Sequence, residues 1–190
     1  MGILSVISFA HQLVRSKVRE GDVVVDATLG NGNDALFLAQ LVGPRGHVYG
    51  FDVQEAAIAS SLARLEREGV AARCSLLLES HSALPSALPA SVQGKVAAIM
   101  FNLGYLPGAD ETVITLPQST LTALSAAMEM LRSDGLLSII VYPGHPGGDT
   151  EAAAVEAWAS ALPQPDFQVM CYRSLNRKAE APYGIFVSKK

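Results

Sequence analysis

The chain has 190 residues, 49% of them hydrophobic, and a formal net charge of −4. That length fits one domain with enough apolar material to bury a core, and it argues against a second domain. The negative balance excludes a protein that attracts nucleic acid over its whole surface, so any RNA contact must rest on a local basic patch.

In chain order, residues 3–19 read as an amphipathic packing helix, with Leu4, Ile7, Leu13 and Val14 on or near one face. The apolar opening Met1 to Phe9 carries no basic leader and is shorter than the roughly 20 residues a bilayer span needs, so a cytoplasmic protein without membrane attachment is expected. Val23 to Ala27 is a continuous apolar run interrupted by Asp26, as expected of a parallel strand buried on both faces. A glycine-rich turn follows, Gly30-Asn31-Gly32-Asn33-Asp34, then a helix from about Ala35 to Leu41. His47 to Phe51 forms a second strand ending at Asp52, and Gln54 to Glu68 a helix. Cys74 to Leu78, Val96 to Phe101 and Leu136 to Tyr142 read as further strands, with a helix from Leu116 to Leu131 before the last. Gln168 to Leu175 and Tyr183 to Ser188 resemble a closing antiparallel pair. The alternation predicts a single Rossmann-like α/β domain over residues 1–190, with a mostly parallel seven-stranded sheet. Cys74 and Cys171 stand alone, which offers neither a disulfide framework nor a metal-ligand pattern.

The glycine-rich turn lets a ligand approach the backbone, and Asp52 at the end of the second strand can accept from ribose hydroxyls. Gly30, Gly32 and Ala35 also satisfy the dinucleotide pattern, so spacing alone leaves the adenosine cofactor open. Charge separates the options. A pyrophosphate on this turn would meet the carboxylates of Asp34 and Asp26, whereas S-adenosylmethionine brings a sulfonium and an ammonium that those acids stabilise. Asn31 and Asn33 belong to the same turn, Gln54 can reach the adenosine, and Ser80 and His81 follow the third strand where the adenine edge is expected. Each has a structural alternative: Asp34 as a first-turn residue of its helix, Gln54 beside an N-cap, and His81 as a surface histidine.

Two loops carry the candidate chemistry. Phe101-Asn102-Leu103-Gly104-Tyr105-Leu106-Pro107-Gly108 follows the fourth strand and resembles the Asn-Pro-Pro-Tyr element of amino-group methyltransferases, with Leu103 and Gly104 in place of both prolines. A nitrogen that attacks in line must present its lone pair while its hydrogens are held, which the Asn102 amide oxygen can do, and Tyr105 can stack on a base. Tyr142-Pro143-Gly144-His145-Pro146-Gly147-Gly148-Asp149 follows the fifth strand, and His145 is a candidate to take a proton from an alkylammonium substrate. A tight turn explains either loop equally simply. Five of the 14 basic residues lie near the end of the chain, and Arg173, Arg177 and Lys178 form the candidate RNA patch, which could also be an ordinary solvated surface.

The strings Val25-Asp26-Ala27-Thr28-Leu29-Gly30-Asn31-Gly32-Asn33-Asp34, Phe101 to Pro107, Gly144-His145-Pro146-Gly147-Gly148 and Asn176-Arg177 with Pro182 resemble the small bacterial rRNA methylase family over nearly the whole chain. Ala181 departs from the pattern, where a second proline is expected. The resemblance implies an S-adenosylmethionine-dependent N-methyltransferase acting on tRNA, on the aminomethyl group of 5-aminomethyl-2-thiouridine at the wobble position. It implies cofactor contacts at Asp26, Asn31, Asp34, Asp52 and Gln54, and a reaction centre at Asn102, Tyr142 and His145. Methylation of an rRNA base or of a free small amine, an NAD-binding oxidoreductase and an inactive RNA-binding module are the competing expectations. DNA is not expected as a partner, and the oligomeric state, a homodimer among the options, stays open.

Overall fold

The computed structural model describes residues 2–104 and 115–190. Seven strands form one sheet in the order β3-β2-β1-β4-β5-β7-β6, with β1 Val23–Asp26, β2 His47–Asp52, β3 Cys74–Leu78, β4 Val96–Leu103, β5 Leu131–Val141, β6 Phe167–Tyr172 and β7 Tyr183–Lys189. Strands β1 to β5 pair in parallel, and β7 is antiparallel to both β5 and β6. The helices are α1 Val6–Lys17, α2 Asn33–Val42, α3 Glu55–Arg67, α4 Leu84–Ala87, α5 Pro117–Met130 and α6 Gly148–Ser160. This is the α/β architecture expected from the alternating pattern, including the closing antiparallel pair.

Side chains alternate across a strand, so each strand feeds two cores. On one face Val25, Phe51, Ile99, Phe101 and Ile139 pack with Leu124 of α5 and Val155 of α6. On the other, Val24, Val48, Ala98, Met100 and Ile140 pack with Val14 of α1, Leu38 of α2 and Leu65 of α3. The same alternation carried to the strand ends puts Asp26, Asp52, Asn102 and Tyr142 on the second face, beneath α1 and α2. Four polar candidates from four strands therefore share one side of the sheet at its carboxyl edge, where open α/β sheets bind ligands.

Three elements differ from the sequence expectation. Helix α1 starts at Val6 because the Ser5 hydroxyl caps it, accepting from Ser8 N at 3.2 Å. Strand β5 begins at Leu131 rather than Leu136, with an irregular stretch around Asp134 (φ 63°) that breaks the register with β4. Helix α6 was not foreseen: of its buried residues Gly148, Glu151, Ala152, Val155 and Ala159, only Val155 is a large apolar side chain, so the hydrophobic period is faint. Gly147, at φ 82°, caps it, which places Asp149 in a helical first turn rather than in a loop. Among the described residues, no helix is long and apolar enough to cross a membrane.

Candidate active site

A cavity of about 780 Å³ opens at the carboxyl edge of the sheet, within the usual range for small-molecule sites. Its walls include Gly30, Asn31, Asn33, Asp34, Asp52, Gln54, Ser80, His81, Asn102 and Tyr142, which brings together most of the residues singled out from the sequence. The remaining walls come from Ile7, His11, Ala27, Thr28, Leu29, Phe51, Val53, Glu79, Gly104, Thr115, Leu116 and Ser119.

The glycine turn is braced from behind by α3. Ser61 Oγ donates to Gly30 O at 3.2 Å, and Arg64 Nε donates to Asn31 O at 2.7 Å. Gly32 caps α2 at φ +73°, and a Cβ there would sit 2.8 Å from Ser61 Cα. It does not line the cavity, and its lack of a side chain lets α2 and α3 approach. The Asp52 carboxylate accepts from Gly30 N at 2.9 Å and from Gln54 N at 3.0 Å, which locks it at the cavity wall with lone pairs to spare.

Asp34 is held quite differently. One carboxylate oxygen lies 2.6 Å from His11 Nε2, and the other accepts from Asn102 Nδ2 at 2.7 Å. Engaging the Asn102 NH₂ on Asp34 turns the amide oxygen away from the carboxylate. The Asn102 backbone N–H is taken by Thr28 Oγ1 at 2.7 Å. His11 stacks on Phe37 with ring centroids 4.0 Å apart and an interplanar angle of 4°. Sequence reasoning missed His11, because α1 reads as a packing helix and nothing local shows which side chain it lowers over β4. The one available signal is its four-residue spacing from Ile7, which puts both on the cavity-facing stripe.

Asp26 lies behind this wall, fully buried, and is not a wall residue. Its Oδ1 accepts from Thr28 N at 3.2 Å, while Oδ2 has no partner among the described residues. Burial first and the neighbouring Asp34 carboxylate second push its carboxyl well above the ordinary range. The acids that face the cavity are therefore Asp34, Asp52 and Glu79, with no lysine or arginine among the described wall residues.

His81, nearly buried, meets Phe101 edge-on with centroids 5.7 Å apart. Burial lowers its pKa to about 4 against the opposing pull of Asp52, so the ring is neutral. Its Nε2 has no partner among the described residues and can serve a ligand. Ser80 Oγ caps the short turn that carries it, accepting from Ser82 N at 3.2 Å. Burial, then Asp34, raises the pKa of Tyr142.

His145 does not line the cavity. It lies close to the Gly104 and Gly148 backbones, where an added Cβ would stand 3.7 and 2.9 Å from its Nε2, so it neighbours the loops that frame the site. Tyr105 lies outside the described residues. On either side of that segment, Thr115 N donates to Gly104 O at 3.0 Å. The buried Glu151 of α6 then accepts from Thr115 Oγ1 at 2.6 Å and Thr120 Oγ1 at 2.7 Å. Sequence reasoning did not single out this clasp either, since it joins three separate segments.

Of the basic tail, Lys189 is spent on Met128 O and Leu131 O at 2.7 and 2.8 Å. Arg173 lies 3.4 Å from Glu156 and over the Tyr183 ring. Arg177 and Lys178 are exposed in the β6–β7 connection. Because β6 runs parallel to β5, that connection leaves the sheet at the same edge as the cavity. It also packs on the loop after β5, where a Cβ on Gly144 would lie 3.1 Å from Glu180 O.

The profile of the family described as "Putative rRNA methylase" matches residues 48–188. The chain belongs to that family. A curated relative from Arabidopsis thaliana, the chloroplastic "tRNA (mnm(5)s(2)U34)-methyltransferase", is 40% identical over 190 residues, covering 95% of this chain and 68% of that protein. The crystal structure of a "putative rRNA-methylase" from Clostridium thermocellum superposes with a TM-score of 0.95 at 36% identity, over 100% of both chains. SMU.1697c, a "putative methyltransferase" from Streptococcus mutans solved in complex with SAH, gives 0.89 at 35% identity, again over 100% of both. The rRNA methylase chain is thus a methyltransferase of the class I fold, as its residues suggested.

Proposed function

We propose that the protein transfers a methyl group from S-adenosylmethionine to the primary amine of 5-aminomethyl-2-thiouridine at the wobble position of tRNA. The observation that carries the reading is the wall around Asn102: three acids, no described lysine or arginine, and an asparagine whose NH₂ is committed to Asp34.

The residues fit the cofactor. Acids at Asp34, Asp52 and Glu79 suit a ligand with a sulfonium and an ammonium and would repel a pyrophosphate. Asp52 would take the ribose hydroxyls, Gln54, Ser80 and His81 the adenosine end, and Gly30, Asn31, Asn33 and Asp34 the amino-acid end. Asp26 would act from behind, through its field on Asp34. When bound, the cofactor supplies a methyl carbon on a positively charged sulfur that leaves as a neutral thioether.

Asn102 then orients the substrate. Its amide oxygen accepts from the amine hydrogens and so aims the nitrogen lone pair, which is the positional part of the catalysis. Tyr142 forms the adjoining wall, His145 neighbours the Gly104 backbone, and Tyr105 would stack on the base. The tRNA relative supports the substrate class, and the exposed Arg177 and Lys178 at the rim would meet phosphates without reading sequence.

Incubation with methyl-labelled cofactor and two tRNA preparations, one bearing the aminomethyl group and one with unmodified wobble uridine, tests the reading. Label is expected only in the first. Equal or absent labelling of both, or a thermal shift produced by NAD and not by S-adenosylhomocysteine, overturns it.

A further inference from the structure

An alkyl amine reaches an enzyme at neutral pH mostly as its ammonium ion, which has no lone pair to offer. Some group must accept a proton before transfer, and the histidine nearest that task in the sequence, His145, is not in the cavity wall. His11 is. Its side chain keeps 27% of its surface exposed, it sits against Asp34, and Asp34 in turn holds Asn102. The residue that aims the amine and the imidazole thus share one carboxylate.

Resting on the proposed reaction, we infer that His11 is the general base, with Asp34 as the residue that orients it. Asp34 accepts at both oxygens, so the neutral imidazole donates from Nε2 and carries its lone pair on Nδ1. One N–H bond of the substrate ammonium breaks, its electron pair stays on nitrogen, and the proton bonds to Nδ1. The imidazolium is then paired with Asp34 and returns its proton to water through its exposed edge. The stack on Phe37 fixes the ring plane. Among the described residues, the charged and titratable groups around the His11–Asp34 pair are Asp26 behind Asp34, Tyr142 from the end of β5, and Arg15 of α1, whose guanidinium lies 5.4 Å from the Phe37 ring centre.

The test is a pH series of kcat/KM on aminomethyl-bearing tRNA for wild type, His11→Asn and His11→Gln, with S-adenosylhomocysteine affinity measured by calorimetry on each. A general base contributes roughly 100-fold or more, so a loss of that size is expected near pH 7. The loss should shrink steadily above about pH 8, where amines begin to shed the proton unaided. Inhibitor affinity should stay within about twofold of wild type, consistent with His11 acting on the substrate. A deficit that is the same at every pH overturns the inference, as does a parallel loss of S-adenosylhomocysteine affinity, which would make His11 a cofactor clamp. Wild type labelling the amine while both variants match it refutes the base alone; wild type labelling no primary amine removes the reaction and the base together.

Discussion

Asp34 and Asp52 are two carboxylates at the wall of one cavity, and they are held by opposite means. Asp52 is fixed by backbone N–H groups of Gly30 and Gln54, at 2.9 and 3.0 Å, in turns directly beside it. Asp34 is fixed by side chains of His11 and Asn102, 23 residues before it and 68 after it. The first arrangement survives almost any change of side chain around it, whereas the second is a network in which each member depends on the others. On the proposed reading, Asp52 serves cofactor binding, whereas Asp34 joins the cofactor's amino-acid end to the amine-orienting Asn102 and so bears on turnover as well.

The sharpest way to break this comparison is Asn102→Ala. It should lower kcat/KM by roughly 100- to 1000-fold while S-adenosylhomocysteine affinity, measured by calorimetry, stays within about twofold. If affinity falls as far as turnover, the two roles are not separable. Next comes the paired exchange of the acids. Asp34→Asn can donate where the carboxylate only accepts, so it should let Asn102 flip and lower kcat by roughly 100-fold. Asp52→Ala should instead weaken S-adenosylhomocysteine by roughly 10- to 100-fold with a smaller change in kcat, and steady-state kinetics beside calorimetry reads the split.

A smaller effect concerns stability. His81 has a folded pKa of about 4, below the ordinary histidine value of 6.5, so between those values the unfolded chain binds the extra proton. Its contribution is fully present above about pH 6.5 and is lost as pH falls toward 4, amounting to about 3 kcal/mol at most. In denaturant melts across that window, wild type should lose stability relative to His81→Gln as pH falls from 7 to 4. Asp26 works in the other direction, since its raised pKa favours the folded state at the acid end. The smallest change is expected of Gly32→Ala, which forces a Cβ against Ser61 at positive φ and should cost about 1–3 kcal/mol in a thermal or denaturant melt. Its effect on bound S-adenosylhomocysteine should be minor, because Gly32 is not a wall residue.

What the sequence disclosed follows the same division. The strands and the glycine turn are written in local runs, so Asp52, Gln54 and the turn with Asn31, Asn33 and Asp34 could be picked out as candidates, and the fold brings them to one cavity wall. The row Asp26, Asn102 and Tyr142 was only half legible. Each stands at a strand end, but that all three share a face depends on register between β1, β4 and β5. His11 and Glu151 were silent, since one rides on a helix that looks like packing and the other on a helix whose apolar stripe is mostly alanine. The close approach of α2 and α3 at Gly32 was silent too, since the ligand pattern accounts for that glycine without it.

Thr115 N donates to Gly104 O, and Glu151 of α6 accepts from the hydroxyls of Thr115 and Thr120. The clasp thus ties the ends of β4 and α5 to α6, so the Gly104 and Thr115 walls of the cavity keep their spacing through α6 as well as through the sheet.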